Sequence, residues 1–176
     1  MNNTFPTEGN LSGLSRKDFQ KEINNKETDL FILKNKKGME VAVTNYGCAI
    51  LSIMVPDKNG KYANVILGHD SIDHVINSPE PFLSTTIGRY GNRIAKGKFT
   101  LFGEEHELTI NNGPNSLHGG PTGFHARVWD AVQIDESTVQ FNYVSADGEE
   151  GFPGNLEVEM TYRLENEAVS YTHLTL

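Results

Sequence analysis

Three stretches of this chain gather side chains that can do acid–base or hydrogen-bond chemistry. The first is Asn111-Asn112-Gly113-Pro114-Asn115-Ser116-Leu117-His118-Gly119-Gly120, a Gly- and Asn-rich loop that carries His118. An imidazole titrates near neutrality, so it can donate or accept a proton or polarise an oxygen, and the two following glycines allow a ligand to approach it closely. The second is Gly88-Arg89-Tyr90-Gly91-Asn92-Arg93-Ile94-Ala95-Lys96-Gly97. Here Arg93 offers a fixed fork of donors and Asn92 a donor and an acceptor, a set that suits the hydroxyls of a polar ligand. The third is Ser145-Ala146-Asp147-Gly148-Glu149-Glu150-Gly151-Phe152-Pro153-Gly154, whose carboxylates could in principle act as acid and base.

Each stretch also has a plain structural reading. A loop histidine can simply satisfy backbone carbonyls, and Arg89 and Arg93 can anchor a loop in the same way. The adjacent carboxylates of the third stretch point apart in an extended chain, and its turn-forming residues favour a tight surface loop ahead of the next strand. A phosphate-loop reading of Gly91 to Lys98 fails on spacing and on Phe99 where Ser or Thr is required. His106, His118 and His125 lie within twenty residues but lack compact ligand spacing, and Cys48 is remote, so no metal site is expected. Cys48, amid apolar residues and without cationic neighbours in sequence, reads as a buried, inert thiol. No Gly-x-Ser-x-Gly element is present.

Short strands must position these loops. Leu156–Leu164 alternates apolar and polar residues without a break, Val139–Tyr143 repeats the pattern, and Met39–Val43 does so more weakly. Asn59-Gly60 predicts a hairpin between Ile53–Val55 and Val65–Leu67, and Gly103 one between Phe99–Leu101 and His106–Ile110. With 17 Gly and 7 Pro punctuating such strands, the pattern predicts an all-β, antiparallel β-sandwich. Ahead of it, residues 1–27 read as a polar leader, mobile over 1–13. A short helix follows, capped by Ser15, with Asp18 at the capping-box position, a Leu14/Phe19 staple, and Phe19 and Ile23 on one face.

Composition narrows the partners. At 176 residues the chain suits one domain. A net charge of −8 with no basic cluster argues against nucleic acid, and no apolar run is long enough to span a bilayer. The N-terminal residues lack a basic and apolar signal pattern, so the chain reads as cytoplasmic unless an export signal has been removed. One cysteine excludes an internal disulfide.

In this order, the motifs resemble the aldose 1-epimerase (galactose mutarotase) family. Gly88–Ile94, Asn115-Ser116-Leu117-His118-Gly119-Gly120 with Gly123-Phe124, and Asp147–Gly154 carry the resemblance, with Asn45-Tyr46-Gly47, Val55-Pro56-Asp57 and Leu67-Gly68 before them. Any one segment is weak; the ordered set, over about residues 28–168, is specific. The resemblance implies a β-supersandwich and interconversion of the α and β anomers of aldohexoses such as galactose and glucose, without a cofactor. It also implies that Asn92 and Arg93 contact the sugar and that His118 hydrogen-bonds it near the reacting carbon. The family's acid, in an Asn-His-Ser-Tyr-Phe-Asn-Leu segment, and its C-terminal base glutamate have no counterpart by motif. Residues 169–176 depart from the family pattern, and His173 lacks the flanking Asn that would transfer the acid role. The expectation is an incomplete sandwich, poorly soluble or oligomeric, that does not catalyse by itself. Two rivals stand beside this reading. A hexose-6-phosphate 1-epimerase needs basic residues that the acidic composition does not supply, and a non-catalytic sugar-binding module would keep Arg93 and His118 without the proton-transfer pair.

Overall fold

A computed structural model describes residues 5–7, 9–166 and, as backbone, 170–175. Two four-stranded antiparallel sheets, each in simple chain order, form the frame. One runs Leu30–Lys34, Glu40–Thr44, Ile50–Pro56, Tyr62–Asn64; the other Asp130–Asp135, Thr138–Ser145, Leu156–Leu164, Ser170–Thr175. The sandwich core lies between them. Phe31, Leu33, Val41 and Val43 from the first sheet pack with Val139, Phe141, Val158, Met160, Tyr162 and Leu164 from the second. Phe31 and Phe141 meet edge to face at 5.9 Å, a geometry that matches ring edge to ring face charge.

The period-two reading of Leu156–Leu164 holds: Val158, Met160, Tyr162 and Leu164 are buried and Glu157, Glu159 and Arg163 exposed. Glu40–Thr44 is buried at every position, which is why its alternation is weak in sequence. Its second face, with Leu30 and Ile32 of the neighbouring strand, is covered by Phe19, Ile72 and Val75. Among the described residues no helix is long and apolar enough to cross a membrane.

Several local expectations shift. Arg16–Phe19 is a four-residue 3-10 turn, and Ser15 makes no side-chain cap. Ile23 is not on a shared helical face; it sits in a small hairpin, Glu22–Ile23 against Lys26–Glu27. The connecting Asn24 and Asn25 both adopt positive φ, which asparagine tolerates in two-residue turns. The segment around Leu11 is tied down: the amides of Leu11 and Ser12 donate to the Glu40 carboxylate at 2.8–3.2 Å, and Glu40 is fully buried. A buried carboxylate demands such donors, so this part of the expected mobile leader is held against the sheet. The Asn59-Gly60 turn pairs Ile50–Pro56 with Tyr62–Asn64 instead of Val65–Leu67. Asp57 closes that turn by accepting from Asn59 and Lys61 amides, so pairing resumes at once. The Gly103 hairpin joins Lys98–Leu101 to Glu104–Glu107. Its two-residue turn has Phe102 and Gly103 at positive φ, and Phe102 is 98% exposed. Cys48 is fully buried, and burial pushes its thiol well above the ordinary range, as an inert thiol requires. From Ser170 to Thr175 the tail pairs antiparallel with Leu156–Leu164, in register from Glu159↔Thr175 to Leu164↔Ser170.

Candidate active site

The Asn92-Arg93 and His118 segments, 26 residues apart in sequence, are joined by a two-residue antiparallel ladder, Arg93–Ile94 on Ser116–Leu117. Asn111 fixes the His118 loop from within: its Nδ2 donates to the Leu117 carbonyl and its Oδ1 accepts from the Leu117 amide, at 2.9 and 2.6 Å. Gly119 is required by its surroundings. It sits at φ +84°, and a Cβ there would lie 1.8 Å from the Gly88 carbonyl oxygen. That contact presses the His118 loop onto the start of the Arg89–Arg93 loop.

Asn92 and His118 then bond reciprocally. The His118 amide donates to the Asn92 carbonyl at 3.1 Å. The Asn92 amide donates to His118 Nδ1 at 2.9 Å. Because Nδ1 accepts, the proton of the neutral imidazole belongs on Nε2. Nε2 makes no hydrogen bond among the described residues, so a donor is left for a ligand. Both residues adopt left-handed backbone, Asn92 at φ +69° and His118 at +55°, a conformation sparsely populated by residues other than glycine.

Arg93 is exposed; its Nε donates to Asn112 Oδ1 at 2.8 Å and its Nη1 approaches Asn92 Oδ1 at 3.4 Å. Its fork is thereby aimed without being used up. Arg89 behaves oppositely. It donates to the Ser145 hydroxyl and carbonyl and to the carbonyls of Ala146 and Pro153, all at 2.8–3.0 Å. Burial pulls its guanidinium below the usual value. The carbonyl-anchoring role therefore falls to Arg89, and Arg93 is left facing solvent.

The carboxylates of the third stretch hold loops. Glu149 accepts from Tyr143 and Ser145 hydroxyls and lies 3.5 Å from Arg127. Glu150 accepts from the amide and hydroxyl of Thr122. Asp147 Oδ1 accepts from the Gly154 amide across the turn. The turn reading of this stretch is what the contacts support. The three neighbouring histidines do not share a site: His106 lies on Phe99 at 5.2 Å, whereas His118 and His125 flank Phe82 at 4.8 and 4.5 Å. His125 is 4% exposed, and desolvation, helped by His118, pulls its pKa down to about 4, so its ring is neutral. Phe82 could not have been singled out by residue type. A lone phenylalanine in Pro81-Phe82-Leu83 looks like any core residue, and only its ring neighbours give it meaning.

The chain is similar to known proteins over most of its length. The aldose 1-epimerase family model matches residues 29–174. Galactose mutarotase of Bos taurus is 43% identical over 127 residues, covering 72% of this chain and 36% of that protein. Aldose 1-epimerase of Escherichia coli (strain K12) is 39% identical over 145 residues, covering 82% and 42%. A crystal structure of galactose 1-epimerase from Lactobacillus acidophilus superposes with a TM-score of 0.76 at 31% identity, covering 88% of this chain and 45% of that one. An aldose epimerase homologue from C. elegans superposes at 0.79 with 29% identity, covering 84% and 45%. The chain spans less than half the length of each of these proteins. A match this long, over both sheets and all three loops, means that the chain belongs to the aldose 1-epimerase family.

Proposed function

We propose that this chain supplies the sugar-holding side of a site that interconverts the α and β anomers of aldohexoses such as galactose and glucose. The reaction needs a base to take the proton of the C1 hydroxyl. As the C1–O5 bond breaks, an acid protonates O5; rotation about C1–C2 and reclosure with the reverse transfers give the other anomer. No redox change or group transfer is involved, so positioning and proton donors suffice.

The observation that carries this reading is the Asn92–His118 clamp, which places an unused Nε2–H beside the exposed Asn92-Arg93 pair. In this reading Nε2–H donates to a sugar oxygen and steadies charge developing on O5, and Arg93 and Asn92 grip neighbouring hydroxyls. His125 and Glu150, the imidazole and carboxylate nearest in kind to an acid–base pair, are poor candidates for it. His125 is buried and neutral, and Glu150 is spent on Thr122. The acid and base that open the ring are therefore assigned to residues outside this constellation. That observation also favours, for the 176 residues by themselves, a site that binds sugar without turning it over.

Two measurements on the chain test this. Titration with D-galactose should shift the backbone amide resonances of Asn92, Arg93 and His118, while polarimetry of α-D-galactose should show mutarotation at the buffer rate. Resonances that stay put at saturating sugar would sink the sugar-holding assignment. Catalysed mutarotation would show that the proton-transfer pair lies within this chain.

A further inference from the structure

The ring of Phe82 contacts two imidazoles, and neither the Asn92-Arg93 pair nor the His118 motif requires that. Its centroid is 4.8 Å from that of His118, with the planes at 61°, and 4.5 Å from that of His125, at 59°. The three rings form a tilted cluster in which His125 is buried and Phe82 and His118 are half-buried. We propose that Phe82 is a positioning residue: backed by His125, it holds the His118 imidazole in the one orientation whose Nδ1 accepts the Asn92 amide and whose Nε2–H is turned to the sugar.

Three features carry this. First, the orientation of the ring is set by χ1 and χ2, and on the ring itself a single hydrogen bond, from the Asn92 amide to Nδ1, restrains them. A second constraint must come from a neighbour that touches the ring's side, and Phe82 is the aromatic partner that His118 has. Second, a half-turn of the imidazole would put Cδ2–H against the Asn92 amide and leave that donor unpaired, so the held orientation is also the one in which the hydrogen bond survives. Third, His125 is a buried, uncharged neighbour for Phe82. It is 4% exposed, its Nδ1 has no hydrogen-bond partner among the described residues, and burial keeps the ring uncharged. Phe82 thus packs at 4.5 Å against a neutral, buried ring rather than a solvated cation. Only the last step, that Nε2–H meets a sugar, rests on the function proposed above.

The test reads the ring directly. In the 15N-labelled chain at a pH where His118 is neutral, long-range 1H–15N correlation should show one His118 tautomer, with Nδ1 unprotonated and Nε2 protonated. Phe82→Ala and Phe82→Leu should turn that single pattern into an averaged one, and Phe82→Tyr, which keeps the ring, should restore it. Both apolar variants should weaken D-galactose binding by about tenfold, with the amide spectrum confirming that the sheets are intact. A mixed or Nδ1-protonated His118 in the unaltered chain overturns the proposal outright, without any variant. A folded Phe82→Leu that keeps the single tautomer overturns it as well, since a merely structural phenylalanine would leave the tautomer untouched. Failure of the unaltered chain to bind galactose would instead overturn the sugar-site reading, and the tautomer spectra would still decide the role of Phe82.

Discussion

Arg89 and Arg93 lie four residues apart on one loop, yet the two ends of that loop are built for different work. At the Arg89 end the guanidinium is half-buried, bonded to three carbonyls and a serine hydroxyl, and clamps the loop to Ser145–Pro153. At the Arg93 end the same side chain is exposed and rests on two asparagine oxygens, beside the Asn92–His118 pair. A rigid anchor behind and an available donor in front is how a loop can present polar groups without collapsing onto them. The difference teaches that residue type marks a site only when its neighbours leave it something to do.

That contrast can be broken by experiment. Arg89→Ala should destabilise the fold by about 3 kcal/mol, because four charge-assisted bonds vanish and the buried Ser145 loses a partner. Urea denaturation measures this, and Arg89→Lys should restore little, since a point charge cannot span the same acceptors. A loss for Arg93→Ala as large as that for Arg89→Ala would erase the distinction.

Acid should act on the buried histidine that packs against Phe82. His125 has a folded pKa of about 4 against 6.5 for the free side chain. The depressed folded value means that its contribution is present above about pH 6.5 and is lost as pH falls toward 4, because only the unfolded chain gains the proton readily. The contribution is at most about 3 kcal/mol. Stability measured between pH 7 and 4.5 should therefore fall, and His125→Phe should flatten that slope. An unchanged slope in the variant would return the acid sensitivity to the carboxylates.

A smaller effect is expected at the sugar. In a chain joined to the remaining length of a relative such as the E. coli enzyme, His118→Ala or Arg93→Ala should lower turnover at least tenfold, about 1.4 kcal/mol of transition-state stabilisation. Unchanged kinetics in both would make these residues loop anchors after all. The smallest effect sharpens the contrast most: Arg93→Ala should leave unfolding free energy within about 0.5 kcal/mol, as expected for an exposed side chain.

Much of the frame was legible in the residues. Strict alternation in Leu156–Leu164 announced a strand with one buried face, because a pleat sends successive side chains to opposite sides. Glu40–Thr44 was harder to read, since Phe19, Ile72 and Val75 cover its second face and erase the alternation. The capped helix predicted at Ser15 stops after one 3-10 turn, and Ile23 falls instead in the hairpin turned by Asn24-Asn25. Register at Asn59-Gly60 depended on Asp57 folding back on its own turn.

By itself, then, the sequence determined the all-β class and the loop motifs, because periodicity and turn chemistry are local, while the pairing of Asn92-Arg93 with His118 as candidates came from the family resemblance of their ordered motifs. Only the tertiary structure decided which arginine is spent and which is offered, that Glu149 and Glu150 hold loops, and that Phe82 packs against two histidines. Those outcomes depend on contacts between segments tens of residues apart, where burial and the geometry of the partner, not residue type, set what each group can do.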